Sequence, residues 1–148
     1  MKLNDLKQAL EIHALMVEYL ETDLLVGTCL VGMYGQFGLL DKAQQHFNKL
    51  PVRDIVAWTS LIQGYAQHGC GEDALKCVEM MQNEGVCPNS ITCISMLKVC
   101  GSRGRIRKGK EIHAMVMGMG LLENETIVGN ALVDMYARCN DFEYAQEL

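Results

Sequence analysis

The stretch LVGTCLVGMYGQFGLLDKAQ, residues 25–44, returns as IVGNALVDMYARCNDFEYAQ, residues 127–146. Val-Gly, Leu-Val, Met-Tyr and Ala-Gln keep one register in both copies, with Gly27 and Gly129 102 residues apart. A second echo accompanies the first: Glu11-Ile-His-Ala14 reappears as Glu111-Ile-His-Ala114. Between the copies lies a third variant, Trp58-Thr-Ser-Leu-Ile-Gln-Gly-Tyr65, followed by Glu72-Asp-Ala-Leu75. Leu30, Leu61 and Leu132 then share one position, Tyr34, Tyr65 and Tyr136 another, and Ala43, Ala74 and Ala145 a third. The spacing is 31 residues and then 71, or two steps of about 35. Internal periods of this size are the signature of stacked supersecondary units.

Each unit reads as two helices. Trp58, Leu61, Ile62 and Tyr65 fall at i, i+3, i+4 and i+7, and Ala74, Val78 and Met81 continue the helical period after a break at 68–71. Gly38, Gly69 and Gly104 mark the turns between helices, and Pro51 and Pro88 close units. Asp41 and Glu72 stand in the first turns of second helices, where negative charge complements the dipole. The expected fold is all-α, an α-solenoid of stacked helix-turn-helix repeats. Its units are a second helix in 1–23, full units at 24–54, 55–89 and 90–125, and a partial unit at 126–148. The chain is expected to be a piece of a longer array, whose uncapped ends self-associate or fray.

Composition fits a buried core in a reducing compartment. Of the 148 residues 49% are hydrophobic, no apolar run reaches the roughly 18 residues of a membrane span, and no secretory or transit peptide opens the chain. The seven cysteines are odd in number and include no Cys-x-x-Cys, so they read as small packing residues. A net charge of −5 argues against a broad nonspecific nucleic-acid surface.

The chain resembles the pentatricopeptide repeat family. Residues 55–89 have its xxxWTSLIxGYxxxG…EDAL…MxxEGxxPN form, GKEIHAMVMGMGL (109–121) looks like its long L-type unit, and VGNALVDMYARC (128–139) like its short S-type unit. The order L, S, P, L, S over 1–23, 24–54, 55–89, 90–125 and 126–148 is that of the PLS class of plant organelle RNA-processing factors. The tetratricopeptide pattern W-x2-L-G-x2-Y fits less well, because Leu61 is followed by Ile62 and Gly64 directly precedes Tyr65.

The resemblance implies sequence-selective binding of single-stranded RNA, one base per repeat. The implied base-selecting residues are the fifth of the first helix and the last of the unit: Thr28 with Asp54, Thr59 with Asn89, and Asn130 in the final unit. The L-type unit offers Ile94 with Asn124 or Glu125, and an apolar Ile94 cannot hydrogen-bond a base edge. The second residues Leu25, Val56, Ile91 and Ile127 are implied to flank stacked bases. Read through the family, these residues prefer 5′-G-A-N-Y-3′ in a plastid or mitochondrial transcript. Relatives of this class direct cytidine-to-uridine editing alongside other editing-factor proteins, through a deaminase domain. Its H-x-E…P-C-x-x-C zinc signature is absent here, so the chain is expected to bind RNA without catalysing, with no cofactor and no membrane. A protein–protein scaffold is the alternative. The difference between copies belongs to the same expectation: core positions stay alike, while exposed reader positions vary, as Thr28 does against Asn130.

Other chemistry is weaker. Gly104-Arg-Ile-Arg-Lys-Gly-Lys110 satisfies G-x4-G-K, but Glu111 stands where a P-loop needs Ser or Thr. The basic cluster Arg103, Arg105, Arg107, Lys108 and Lys110 reads as a solvated turn before it reads as a phosphate contact. His13 and His113 recur at one helical position, and neither they nor the Cys70/Cys77 and Cys93/Cys100 pairs have metal-ligand spacing.

Overall fold

The computed structural model describes residues 3–16 and 24–141. Among them every regular element is a helix: α1 (Leu3–Met16), α2 (Leu24–Gln36), α3 (Leu40–Lys49), α4 (Ile55–Gln67), α5 (Gly71–Asn83), α6 (Ser90–Ser102), α7 (Ile106–Gly118), α8 (Leu121–Asn124) and α9 (Thr126–Arg138). The fold is all-α and built of helical repeats. Ala145 and the helix expected around it lie outside the described residues.

The four helices that open the repeats, α2, α4, α6 and α9, are each 13 residues long. Their C-termini close in one way. The residue past the last turn takes left-handed backbone: Gly38 (φ 74°), Gly69 (φ 77°), Gly104 (φ 64°) and Asn140 (φ 60°). The next N–H then reaches back to a carbonyl at 2.9 Å, from Leu39 to Tyr34, Cys70 to Tyr65, Arg105 to Cys100 and Asp141 to Tyr136. This motif satisfies carbonyls that a helix end leaves orphaned, and glycine or asparagine enters it at least cost.

The helices form two compact halves, residues 1–70 and 71–148. In the first, α2 packs on both α3 and α4. Leu30, Val31, Tyr34, Phe47, Trp58, Leu61 and Ile62 are all but sealed from solvent. The Phe47 and Trp58 rings meet edge to face at 4.6 Å. Full burial of such a side chain contributes roughly 1.5–3 kcal/mol. At one point α2 and α4 touch backbone to backbone: a Cβ added to Gly64 would lie 2.9 Å from the Gly35 Cα.

In the second half, α6 packs on α5, α7 and α9. Its buried Met96, Leu97 and Cys100 share the core with Ile112, Val116, Leu132, Met135 and Tyr136. Gly101 makes the close approach here, its added Cβ lying 3.3 Å from the Met135 Cα. The two-helix reading of the repeat needs one correction: α8 is an extra single turn. Gly120 (φ 68°) ends α7, and the half-buried Leu121 and Leu122 fold back against α7 and α9.

Candidate nucleic-acid interface

Thr28, Thr59, Ile94 and Asn130 are each the fifth residue of a repeat-opening helix, and Leu25, Val56, Ile91 and Ile127 each the second. All four second residues are branched, apolar and exposed, at 71%, 56%, 47% and 67%. Single exposed apolar side chains are ordinary on a protein surface; what sets these four apart is that they recur at one helical position.

The fifth residues depart from the exposure expected of a reader. Thr28 and Thr59 are buried, at 7% and 6% exposure, Ile94 is half-buried, and Asn130 alone is exposed. In the first half, Thr28 lies one turn before Gly32, where an added Cβ would stand 3.8 Å from the Ser60 Oγ of α4. This is the side of α2 turned toward α4, so packing of successive helices narrows access to the residue. Thr28 Oγ1 is buried and has no hydrogen-bond partner among the described residues. An unsatisfied buried hydroxyl costs about 1–3 kcal/mol. Asn130 stays open because α9 packs on α6, α7 and α8, and nothing described lies over it.

Asp54 and Asn89 occupy one structural niche, the N-cap. Asp54 precedes α4 in extended backbone, and its Oδ1 accepts from the Ala57 N–H at 2.9 Å. Asn89 precedes α6 likewise, with Oδ1 accepting from the Thr92 N–H at 3.0 Å and from the Thr92 hydroxyl at 2.9 Å. The cap fixes which atom of each side chain is left over. In Asp54 the second carboxylate oxygen remains, an acceptor. In Asn89 the amide nitrogen remains, a donor. Glu125, the residue before α9, makes no side-chain cap bond. Asn124 is the last residue of α8.

The remaining candidates recede. The basic turn is largely neutralised: Arg105 pairs with Glu72, Lys108 with Glu79 (3.8 Å) and Glu111 (3.0 Å), and Lys110 with Asp141 (3.2 Å). An open depression of about 390 Å³ lies over Gly104–Lys108. It follows helix α6, whereas a P-loop follows a strand. All seven cysteines are free. Burial pushes the thiols of Cys77, Cys93 and Cys100 up to about 11, which makes them poor nucleophiles and suits packing. Among the described residues no three or more His, Cys, Asp or Glu are grouped to hold a metal, and no helix is long and apolar enough to cross a membrane.

One recurrent contact has no counterpart in the sequence reading beyond the echo of Glu-Ile-His-Ala. His13 on α1 hydrogen-bonds the Tyr34 hydroxyl on α2, and His113 Nδ1 on α7 meets the Tyr136 hydroxyl on α9 at 2.7 Å. In both places a histidine of one repeat is tied to the tyrosine of the next. Burial lowers the pKa of His13, His46 and His113, with Lys42 and Lys49 adding to the effect at the first two and His13 itself at His46.

Two family models match, one described as "PPR repeat" over residues 28–55 and the other as "PPR repeat family" over 53–102, together spanning about half of the chain. The chain belongs to the pentatricopeptide repeat family. A pentatricopeptide repeat-containing protein of Arabidopsis thaliana is 34% identical over 97% of the chain and 21% of its own length. A chloroplastic one from the same plant is 33% identical over 88% of the chain and 21% of its length, and a mitochondrial one 34% identical over 93% and 22%. The chain thus spans about a fifth of the length of the curated pentatricopeptide relatives it matches.

Proposed function

We propose that the chain is a sequence-selective reader of single-stranded RNA, one base per repeat. The repeats are those of 24–54, 55–89 and 90–125 with partial ones at 1–23 and 126–148, a division supported by helix starts at Leu24, Ile55, Ser90 and Thr126. The observation that carries the reading is the pair of N-caps. Asp54 and Asn89 each spend one side-chain oxygen on a helix and leave an atom of opposite hydrogen-bonding sense. The acceptor of Asp54 matches the ring N–H of guanine or uracil, and the donor of Asn89 matches the acceptor ring nitrogen of adenine or cytosine. With threonine at the fifth position selecting purines, as in the family, Thr28 with Asp54 reads guanine and Thr59 with Asn89 reads adenine. Asn130 reads a pyrimidine and Ile94 selects none, giving 5′-G-A-N-Y-3′. Leu25, Val56, Ile91 and Ile127 supply apolar flanks for the stacked bases. The L, S, P, L, S order supports a role within an organelle RNA-processing factor, one that directs cytidine-to-uridine editing with partner proteins. The chain's own part is binding, without catalysis.

A protein-binding scaffold is favoured by one observation, the neutralisation of the basic turn by Glu72, Glu79, Glu111 and Asp141. A salt titration separates the two. Contact with RNA phosphates makes log affinity fall linearly with log salt, by about 0.7 per phosphate for a single strand. Measured by fluorescence anisotropy with a labelled 5′-GAAU-3′-containing oligonucleotide, the chain is expected to show such a slope. No binding at low salt, or binding indifferent to salt, contradicts the RNA reading.

A further inference from the structure

Helix α6 reaches solvent along one line. Ile91, Lys98 and Ser102 are its exposed residues, and Ile94 is half-buried between the first two. Steps of three, four and four residues put these side chains on a single stripe. At about 1.5 Å per residue, Lys98 stands roughly 6 Å beyond Ile94 along the helix axis. A strand that crosses α6 at Ile91 and Ile94, as one base per repeat requires, therefore has Lys98 within reach one turn further along the same stripe.

Lys98 shares with Lys76 and Arg107 an electrostatic setting that differs from that of the paired cations of the second half. Arg105, Lys108, Lys110 and Arg138 each have a carboxylate partner, whereas Lys98 has none among the described residues. The same helical position holds Gly32 in α2, Gln63 in α4 and Asp134 in α9, and Asp134 is occupied by Arg138 at 2.8 Å. The one cation at this position thus sits in the repeat whose fifth residue is apolar.

We infer that Lys98 is a phosphate contact, through which the repeat at 90–125 holds RNA by its backbone instead of its base. This rests on the RNA reading above. Ile94 offers no donor or acceptor to a base edge, so the repeat gains nothing from one base over another. An ammonium is a compact charge with three donors and no fixed fork, suited to a phosphate oxygen and indifferent to the base attached. The repeat would thereby add affinity and keep the strand in register between the selective repeats on either side.

The test is Lys98→Gln in the intact chain, titrated against four oligonucleotides that differ only at the base opposite this repeat, across a range of salt. Binding is expected to weaken by the same factor for all four, and the log–log salt slope to become shallower by about 0.7. Lys98→Arg is expected to restore the slope. Lys76→Gln, an exposed lysine of α5, is expected to leave it as it was, and circular dichroism melts of the variants should overlay the wild type. A slope unchanged by Lys98→Gln, or a loss confined to one base, overturns the inference while leaving the RNA reading intact. Absence of salt-dependent binding by the wild type overturns both.

Discussion

At the scale of single residues, Asp54 and Asn89 each cap a helix and, in the proposed reading, also face a base, and the two roles can be separated. Replacing either by alanine removes the acceptor for the first backbone N–H groups of α4 or α6. Loss of an N-cap costs about 0.5–2 kcal/mol. Urea unfolding of Asn89→Ala is expected to show a destabilisation of that size, whereas Asn89→Asp, which keeps a capping oxygen, should stay within about 0.5 kcal/mol of wild type. Equal stability of Asn89→Ala and wild type contradicts the capping role. These caps were legible in principle, since Asp or Asn just before an apolar helical run is the usual N-terminal signal. The burial of Thr28 and Thr59 was not. For Thr28 it depends on how closely α4 approaches α2, and the spacing of apolar residues within one helix carries no information about that. The His13–Tyr34 and His113–Tyr136 links were half visible: the repeated histidine could be read, but its partner is 21 or 23 residues away on another helix.

At the scale of elements, the helix periodicity and glycine turns located α2, α4, α6 and α9 because local chemistry decides where a helix stops. Gly38, Gly69 and Gly104 announce their turns by residue type. Asn140 makes the same turn with φ 60° and is easily passed over, since asparagine is only sometimes used there. The extra turn α8 follows from Leu121 and Leu122 finding α7 and α9 to lie on, a tertiary effect. Contact between helices also decides what a helical glycine is worth. Alanine exceeds glycine in helix propensity by about 1 kcal/mol, so propensity alone makes Gly64→Ala stabilising. The structure reverses the sign, because the new Cβ would stand 2.9 Å from the Gly35 Cα, and backbone on both sides leaves no flexible atom to move. Gly64→Ala is expected to lower stability by about 1–3 kcal/mol in urea unfolding. Gly69→Ala is destabilising for a different reason: it has open space around it and a left-handed φ of 77°. A Gly64→Ala variant as stable as wild type contradicts the close packing of α2 on α4.

At the scale of the whole molecule, two properties follow from groups that no single helix contains. One is the response to acid. His13, His46 and His113 all have pKa values lowered from the ordinary 6.5, chiefly by burial. A histidine lowered in the folded state binds protons more readily when unfolded, so its contribution to stability is present above 6.5 and is lost as pH falls through the folded value. The melting temperature is expected to fall as pH drops from about 7.5 to about 5.5. Replacing His113 by Gln is expected to flatten part of that fall. A melting temperature that holds or rises over this interval contradicts the buried-histidine account.

The other is the proposed reading of RNA, and it is tested most directly at Asn89. Asn89→Asp preserves the N-cap oxygen and exchanges the leftover donor for an acceptor, with Thr59 untouched. Competition binding against four RNAs that differ only at the base opposite repeat 55–89 measures the consequence. Adenine is the predicted preference of the wild type, and guanine that of Asn89→Asp. A wrong base is expected to cost about 1–3 kcal/mol, by analogy with DNA sites. An adenine preference unmoved by the substitution, or equal binding of all four RNAs by the wild type, contradicts the account.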